Sequence, residues 1–196
     1  MSGACALGQS QSHVLNNCAA IVVAIMDIVS AVVCTYRRAP YLAKALESLA
    51  RQSLPKAGYE VIVVDNACEE EVRVLVSSYA AEAQVSYIAE SRVGLSQARN
   101  RGLENARGEF VAFLDDDAVA APGWLDAIRQ TFVESGSTLA AVGGPTELLW
   151  ERPRPEWLTD ELRALLGYVD YGRAPRPLVD GEWLYGSNMA FRASRL

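Results

Sequence analysis

The stretch that most limits how this chain can fold is Gly108-Glu-Phe-Val-Ala-Phe-Leu-Asp-Asp-Asp117. Five apolar residues, Phe110 to Leu114, run directly into three carboxylates. A short apolar run with aromatic and branched members reads as a strand buried on both faces, as in a parallel sheet covered by helices. Asp115, Asp116 and Asp117 then fall where that strand leaves the sheet, which is where open α/β sheets bind ligands. Three adjacent carboxylates repel one another, and no Lys or Arg follows them closely in sequence. The expected relief is a hard divalent cation with oxygen ligands, some of them from a diphosphate. The competing reading is a solvated acidic loop.

The rest of the chain alternates strand and helix. Further strands are predicted at Ile28 to Cys34, Glu60 to Val64, Val85 to Ala89 and Leu139 to Gly144. One helix starts at Pro40, a residue suited to a first turn, and runs to Gln52 with Leu42, Leu46 and Leu49 on one face. A second follows Glu69, Glu70 and Glu71, which match the positive end of a helix, and buries Val72, Leu75, Val76 and Tyr79. A third spans Gly94 to Arg107 with Leu95, Ala98, Gly102 and Ala106 sharing a face; a fourth opens at Pro122 with Leu125, Ile128 and Phe132 inward. This alternation implies βαβ units, right-handed crossovers and an α/β fold with a largely parallel sheet. From Pro145 to Gly181 the text turns to Pro, Arg, Trp and Tyr. One short helix is expected there, near Thr159 to Leu166 with Thr159 as its cap, inside a long connection that reads as a lid or binding loop.

Composition removes several function classes. The 196 residues suit one domain, and a net charge of −6 argues against a general nucleic-acid or anionic-membrane surface. The single histidine, His13, lies in a polar N-terminal segment, which excludes Ser-His-Asp and Cys-His devices and a histidine-rich metal site. The cysteines, Cys5, Cys18, Cys34 and Cys68, are scattered, which suggests a reducing compartment, and Cys34 reads as a small buried hydrophobe. The apolar run Ala19 to Ile25 is too short to span a membrane and lacks a signal peptide's basic start. Met26 lies just before the first strand, so residues 1–25 are expected to be a dispensable extension and residues 26–196 the domain. The alternative for 19–25 is a short peripheral anchor at the inner face of the membrane.

Three polar strand ends then stand in order: Thr35-Tyr36-Arg37, Asp65-Asn66 and Asp115-Asp116-Asp117. They are joined by Leu46-Glu-Ser-Leu49, Gly94-Leu-Ser-Gln-Ala-Arg-Asn-Arg-Gly102 and Gly186-Ser-Asn-Met-Ala-Phe-Arg192. With this text the chain from Asp27 to Arg192 resembles the family 2 glycosyltransferases. The resemblance implies the GT-A fold, a Rossmann-like three-layer α/β/α arrangement with a largely parallel central sheet. It implies transfer of a sugar from a nucleotide-diphosphate sugar (a UDP- or GDP-sugar) to a hydroxyl of a glycan or lipid-linked acceptor, with inversion, in the cytoplasm. Thr35, Tyr36 and Arg37 would surround the nucleotide base. Asp65 would accept a hydrogen bond from a ring nitrogen, with Asn66 beside it, and Arg99 would approach the diphosphate. Asp115 would face the ribose or metal, Asp116 would fill the middle of the Asp-x-Asp motif, and Asp117 would ligate Mg2+ or Mn2+. Gly186, Ser187 and Asn188 would sit beside the donor sugar and acceptor.

In this family the general base is a carboxylate downstream of the Gly-x-Asn-Met-Ala segment. The chain ends four residues after Arg192, so the base is expected beyond Leu196, with Asp180 and Glu182 as improvised substitutes. Two competitors remain at this point. Val111 to Val119 also resembles the hydrophobic-Asp-x-Asp-x-Val motif of haloacid-dehalogenase-type phosphatases. The chain could instead be a nucleotide-sugar-binding remnant without turnover.

Overall fold

The computed structural model describes residues 28–196 except 81, 83 and 173. The expectations for residues 1–25, for His13, Cys5 and Cys18, and for a start at Met26 lie outside the described residues. Six strands form one sheet: β1 (Val29–Thr35), β2 (Tyr59–Asp65), β3 (Val85–Ala89), β4 (Phe110–Asp115), β5 (Ala141–Gly143) and β6 (Asn188–Arg192). Among the described residues four α-helices accompany them: α1 (Ala39–Ala50), α2 (Glu70–Ser78), α3 (Leu95–Asn105) and α4 (Trp124–Ser135). The sheet order is β3-β2-β1-β4-β6-β5. The first four strands are parallel, while β6 runs antiparallel to both β4 and β5. Among the described residues no helix is long and apolar enough to cross a membrane.

The layers follow from strand alternation. Val29, Ala31 and Val33 face the same side as Val61, Val63, Phe110 and Ala112, and there α1, α2 and α4 supply Leu42, Leu46, Leu49, Val72, Leu125 and Phe132. Val32, Ile62, Val64, Val111 and Phe113 face the other side, which α3 covers through Ala98. One helix covers that face because it can lie close: a Cβ on Gly102 would stand 2.4 Å from Val32 Cγ1. Leu95 departs from its predicted inward face and is 53% exposed, because it sits in the first turn of α3, at the rim of the sheet.

Two differences from the sequence reading lie in the last third of the chain. The predicted fifth strand shortens to Ala141–Gly143 and sits at the sheet edge. The place beside β4 goes to β6, whose mixed text Asn-Met-Ala-Phe-Arg carries no strong strand pattern. The short helix is a 3₁₀ segment, Glu161–Leu166, that Thr159 does not cap. Asp160 stands at its start in a helical conformation without a capping hydrogen bond, and its Oδ1 accepts from Arg154 at 2.7 Å. Gly167, at φ 91°, ends the segment in a conformation that glycine adopts freely.

At the end of the sheet away from the acidic triplet, Glu60 ties β1, β2 and the chain entering β4. It is 5% exposed and accepts from Ser30 Oγ at 2.7 Å, from the Arg107 backbone N–H at 2.8 Å and from the Arg107 guanidinium at 2.7 Å. Burial pushes its pKa up, but these donors more than compensate and hold it below the ordinary 4.5. A depressed folded pKa gives stability that is present above the unfolded value and lost as pH falls through the folded one. Glu60→Gln is therefore expected to cost about 1–3 kcal/mol at neutral pH, with the gap to wild type closing below pH 4.5. Urea unfolding at neutral and acidic pH checks this; a gap that ignores pH would remove the ionic contribution.

Candidate nucleotide site at the strand tips

From β1 the chain builds outward to β2 and β3, then returns to place β4 on the other side of β1. The loops leaving β1 and β4 diverge, and an open α/β sheet binds ligands in the crevice this creates. Register sets the polar tips side by side, with Thr35 opposite Asp65 and Cys34 opposite Asp115. A cavity of about 430 Å³ opens over them. Its wall includes Thr35, Tyr36, Arg38, Asn66, Val93, Leu95, Asp115, Asp116 and Asp117.

The three carboxylates are not equivalent. Asp116 points inward and is 5% exposed; Thr35 Oγ1 donates to it at 2.7 Å and Arg38 Nη1 at 3.1 Å. It thus ties the tip of β4 to the tip of β1. Asp117 is half exposed and pairs with Arg38 Nη2 at 2.6 Å. Asp115 is also half exposed and lies 3.5 Å from Arg99 Nη2. Burial raises the pKa of Asp115 despite Arg99, and raises that of Asp116 despite Thr35 and Arg38. Two guanidinium groups that sequence proximity did not reveal, from the loop after β1 and from α3, already stand beside this cluster.

Arg38 is a residue that sequence reasoning missed. Two adjacent arginines end the β1 text, and nothing local distinguishes them. Arg37 has φ 58°, a left-handed conformation that turns the chain there. Its guanidinium stacks over the exposed Tyr36 ring at 5.2 Å, while Arg38 meets the carboxylates.

Asp65 and Asn66 do sit at the tip of β2, but both side chains are engaged with backbone. Asp65, fully buried, accepts from the N–H groups of Ala67 at 2.9 Å and Glu69 at 2.6 Å and from the Tyr87 hydroxyl at 3.0 Å. Asn66 donates to the carbonyls of Glu90 and Arg92 at 2.7 and 2.9 Å and accepts from Gly94 N–H at 2.7 Å. Together they shape the two loops that flank the cavity, and they expose Val93 and Leu95 on its wall.

Across the site, Arg99 lies over the Phe113 ring at 5.5 Å and donates to the Gly186 carbonyl at 3.3 Å. A Cβ on Gly186 would fall 2.5 Å from Arg99 Nη2. Ser187 follows in a half-buried position. Asn188 braces the segment, accepting from Trp124 Nε1 at 2.8 Å and donating to the Pro145 carbonyl at 3.0 Å. Trp124 was not singled out from the sequence, because its indole finds its partner 64 residues away. The contact on Gly186 is the mobile end of a side chain, so Gly186→Ala should change stability by less than about 1 kcal/mol. It should nevertheless push Arg99 from Asp115 and weaken nucleotide binding severalfold in calorimetric titration. Unchanged affinity would detach Arg99 from the site.

Glu182 is a poor substitute base. Arg176 grips both its oxygens at 2.7 and 2.6 Å, and this pairing holds its pKa down at about 2.

Among the described residues no three His, Cys, Asp or Glu side chains converge to enclose a metal. The donor set still fits a hard divalent cation shared with a ligand. Asp115 Oδ2 and Asp117 Oδ1 accept no hydrogen bond among the described residues, while Asp117 Oδ2 accepts from Arg38. Mg2+-type ions characteristically take one or two carboxylates and complete their shell with substrate phosphates and water. The soft donor nearby is withheld, since burial pushes the Cys34 thiol up to about 12 and keeps it protonated.

A parallel β3-β2-β1-β4 core, an acidic strand tip at the switch point and an antiparallel β6 beside it define a GT-A domain. Residues 30–170 match the family described as glycosyl transferase family 2, and the chain belongs to that family. It is 40% identical over 129 residues to the succinoglycan biosynthesis protein ExoM of Rhizobium meliloti (strain 1021), covering 64% of this chain and 41% of that protein. It is 32% identical over 166 residues to a glucosyl-dolichyl phosphate glucuronosyltransferase of Haloferax volcanii, covering 84% of this chain and 52% of that protein. The chain thus spans about half the length of these relatives. Its fold also matches the mannosyltransferase PcManGT from Pyrobaculum calidifontis, solved with GDP-Man and Mn2+. The TM-score is 0.57 at 25% identity, covering 84% of this chain and 44% of that one. Family membership overturns the phosphatase reading of Val111 to Val119.

Proposed function

We propose that this domain binds a UDP- or GDP-sugar in the crevice between the tips of β1 and β4 and serves sugar transfer to a glycan or lipid-linked hydroxyl, with inversion. The observation that carries the reading is the side-by-side register of Thr35, Asp65 and Asp115 at a cavity whose size suits a small-molecule ligand. The names of the relatives, a succinoglycan biosynthesis protein and a transferase acting on a dolichyl phosphate glucoside, support a saccharide acceptor.

Each wall has a role in this reading. The Tyr36 ring, Val93 and Leu95 offer apolar surface to the nucleoside, while Asp65 and Asn66 position the loops that present it. Asp115 and Asp117 hold a divalent cation, Mg2+ or Mn2+, which when bound neutralises charge developing on the leaving diphosphate. Arg99 brings a second positive charge to the same region and opposes the burial that raises the pKa of Asp115. Gly186 lets Arg99 reach across, and Asn188 fixes the strand beside it, on the side where the donor sugar and acceptor meet. The acceptor hydroxyl requires a base on the face opposite the diphosphate. Glu182 is too weak a base to fill that role.

Titration of the chain with UDP, GDP and their sugar conjugates, with and without Mn2+, tests the reading. Binding that requires Mn2+ and is lost with EDTA is expected. Binding of neither nucleotide in either condition would overturn it.

A further inference from the structure

Arg38 joins two of the three carboxylates, and the two joints differ in kind. Its Nη1 donates to Asp116, whose side chain is only 6% exposed and is also held by Thr35. Its Nη2 reaches Asp117 at 2.6 Å, where both side chains are 44% exposed. The buried joint is not readily exchanged, because its loss would leave a carboxylate stranded in a poorly solvated place. The outer joint is screened by water and salt, so another cation can take its place at little cost. The Tyr41 ring, 5.1 Å from the guanidinium, keeps the arginine at hand when Asp117 is released.

We propose that Arg38 is a stand-in cation. With no donor bound it neutralises Asp117 and keeps that carboxylate turned toward the cavity. It yields Asp117 to the divalent ion that accompanies a nucleoside diphosphate. This inference rests on the cation reading of Asp115 and Asp117 given above. Its consequence is coupling between ion and nucleotide. A free ion must compete with the guanidinium for the charge of Asp117 and sit beside it, so it binds weakly. An ion arriving with a diphosphate brings the negative charge that both cations need, so it binds well.

The test is Mn2+ binding read by electron paramagnetic resonance, without nucleotide and with saturating UDP or GDP. Wild type should bind Mn2+ alone weakly and more tightly with nucleotide. Arg38→Met should bind Mn2+ alone about fivefold more tightly, and the gain from nucleotide should shrink by a similar factor. Arg38→Lys keeps the charge and should stay near wild type for Mn2+ alone. Arg38→Gln is measured alongside Arg38→Met, so that misfolding of one neutral variant does not decide the result. A purely structural role for Arg38 would weaken both measurements together. Nucleotide-dependent Mn2+ binding in wild type, with no tighter Mn2+ binding in either neutral variant, would overturn the stand-in role alone. No Mn2+ binding by wild type under either condition would overturn the cation reading and the stand-in role together.

Discussion

Asp117→Ala is expected to weaken Mn2+-dependent binding of UDP or GDP by about a hundredfold or more while leaving the fold intact. Replacing even an outer partner of a metal ligand commonly costs about 10- to 100-fold in affinity. Removing one of only two carboxylate ligands should reach the top of that range. The fold should survive because Asp117 and Arg38 are each 44% exposed, and such pairs contribute at most about 1 kcal/mol. Asp117→Asn, which retains a neutral oxygen, should fall between wild type and Asp117→Ala. Calorimetry with and without chelator, paired with a thermal melt, separates the two quantities. Equal affinity in wild type and Asp117→Ala would remove the metal role, whatever the melt shows.

Gly108→Ala should have the largest effect on stability. A Cβ at this position would lie 2.5 Å from the Ile28 carbonyl oxygen and 2.7 Å from the Ser30 backbone nitrogen. Both are main-chain atoms at the start of β1, and Ser30 is also paired through its hydroxyl to Glu60 and to the Gly108 N–H. Nothing in this contact can rotate away. Relief requires shifting the start of β4 against β1, the two strands whose tips carry the site. A cost of about 3 kcal/mol is expected, at the upper end for overpacking. That corresponds to a Tm lowered by about 6–12 °C in a chain of this size. Gly102→Ala meets a buried Val32 methyl group at 2.4 Å, a contact with one side chain rather than with the main chain, and should cost less. A Tm shift under about 2 °C for Gly108→Ala would mean that the crossing is looser than the geometry indicates.

Much of the fold was readable in the text. Val85–Ala89 falls where its apolar pattern placed it, and Leu42, Leu46, Leu49, Leu125, Ile128 and Phe132 are buried as their spacing required. These features repeat over a few residues, and burial follows a local period. The antiparallel β6 was not read as a strand. Its alternation is weak, and its place is decided by β4, about 78 residues earlier, through pairs such as Ala112 with Ala190. The 3₁₀ segment in the long connection was misread at its cap: Asp160, not Thr159, stands at its start.

The sequence by itself determined the parallel core, the order of the polar strand tips and the presence of three carboxylates at one of them. Each of these depends on residues adjacent in the chain. Only the tertiary structure decided that Asp116 faces inward while Asp115 and Asp117 stay open. Likewise, it is the fold that gives Asp65 and Asn66 to the backbone of their loops and sets Arg38 rather than Arg37 against the acidic cluster. The partners that settle these points are 78 and 79 residues apart for Arg38. A charge responds to what lies within a few ångströms of it, and no short-range pattern records which distant side chain that will be.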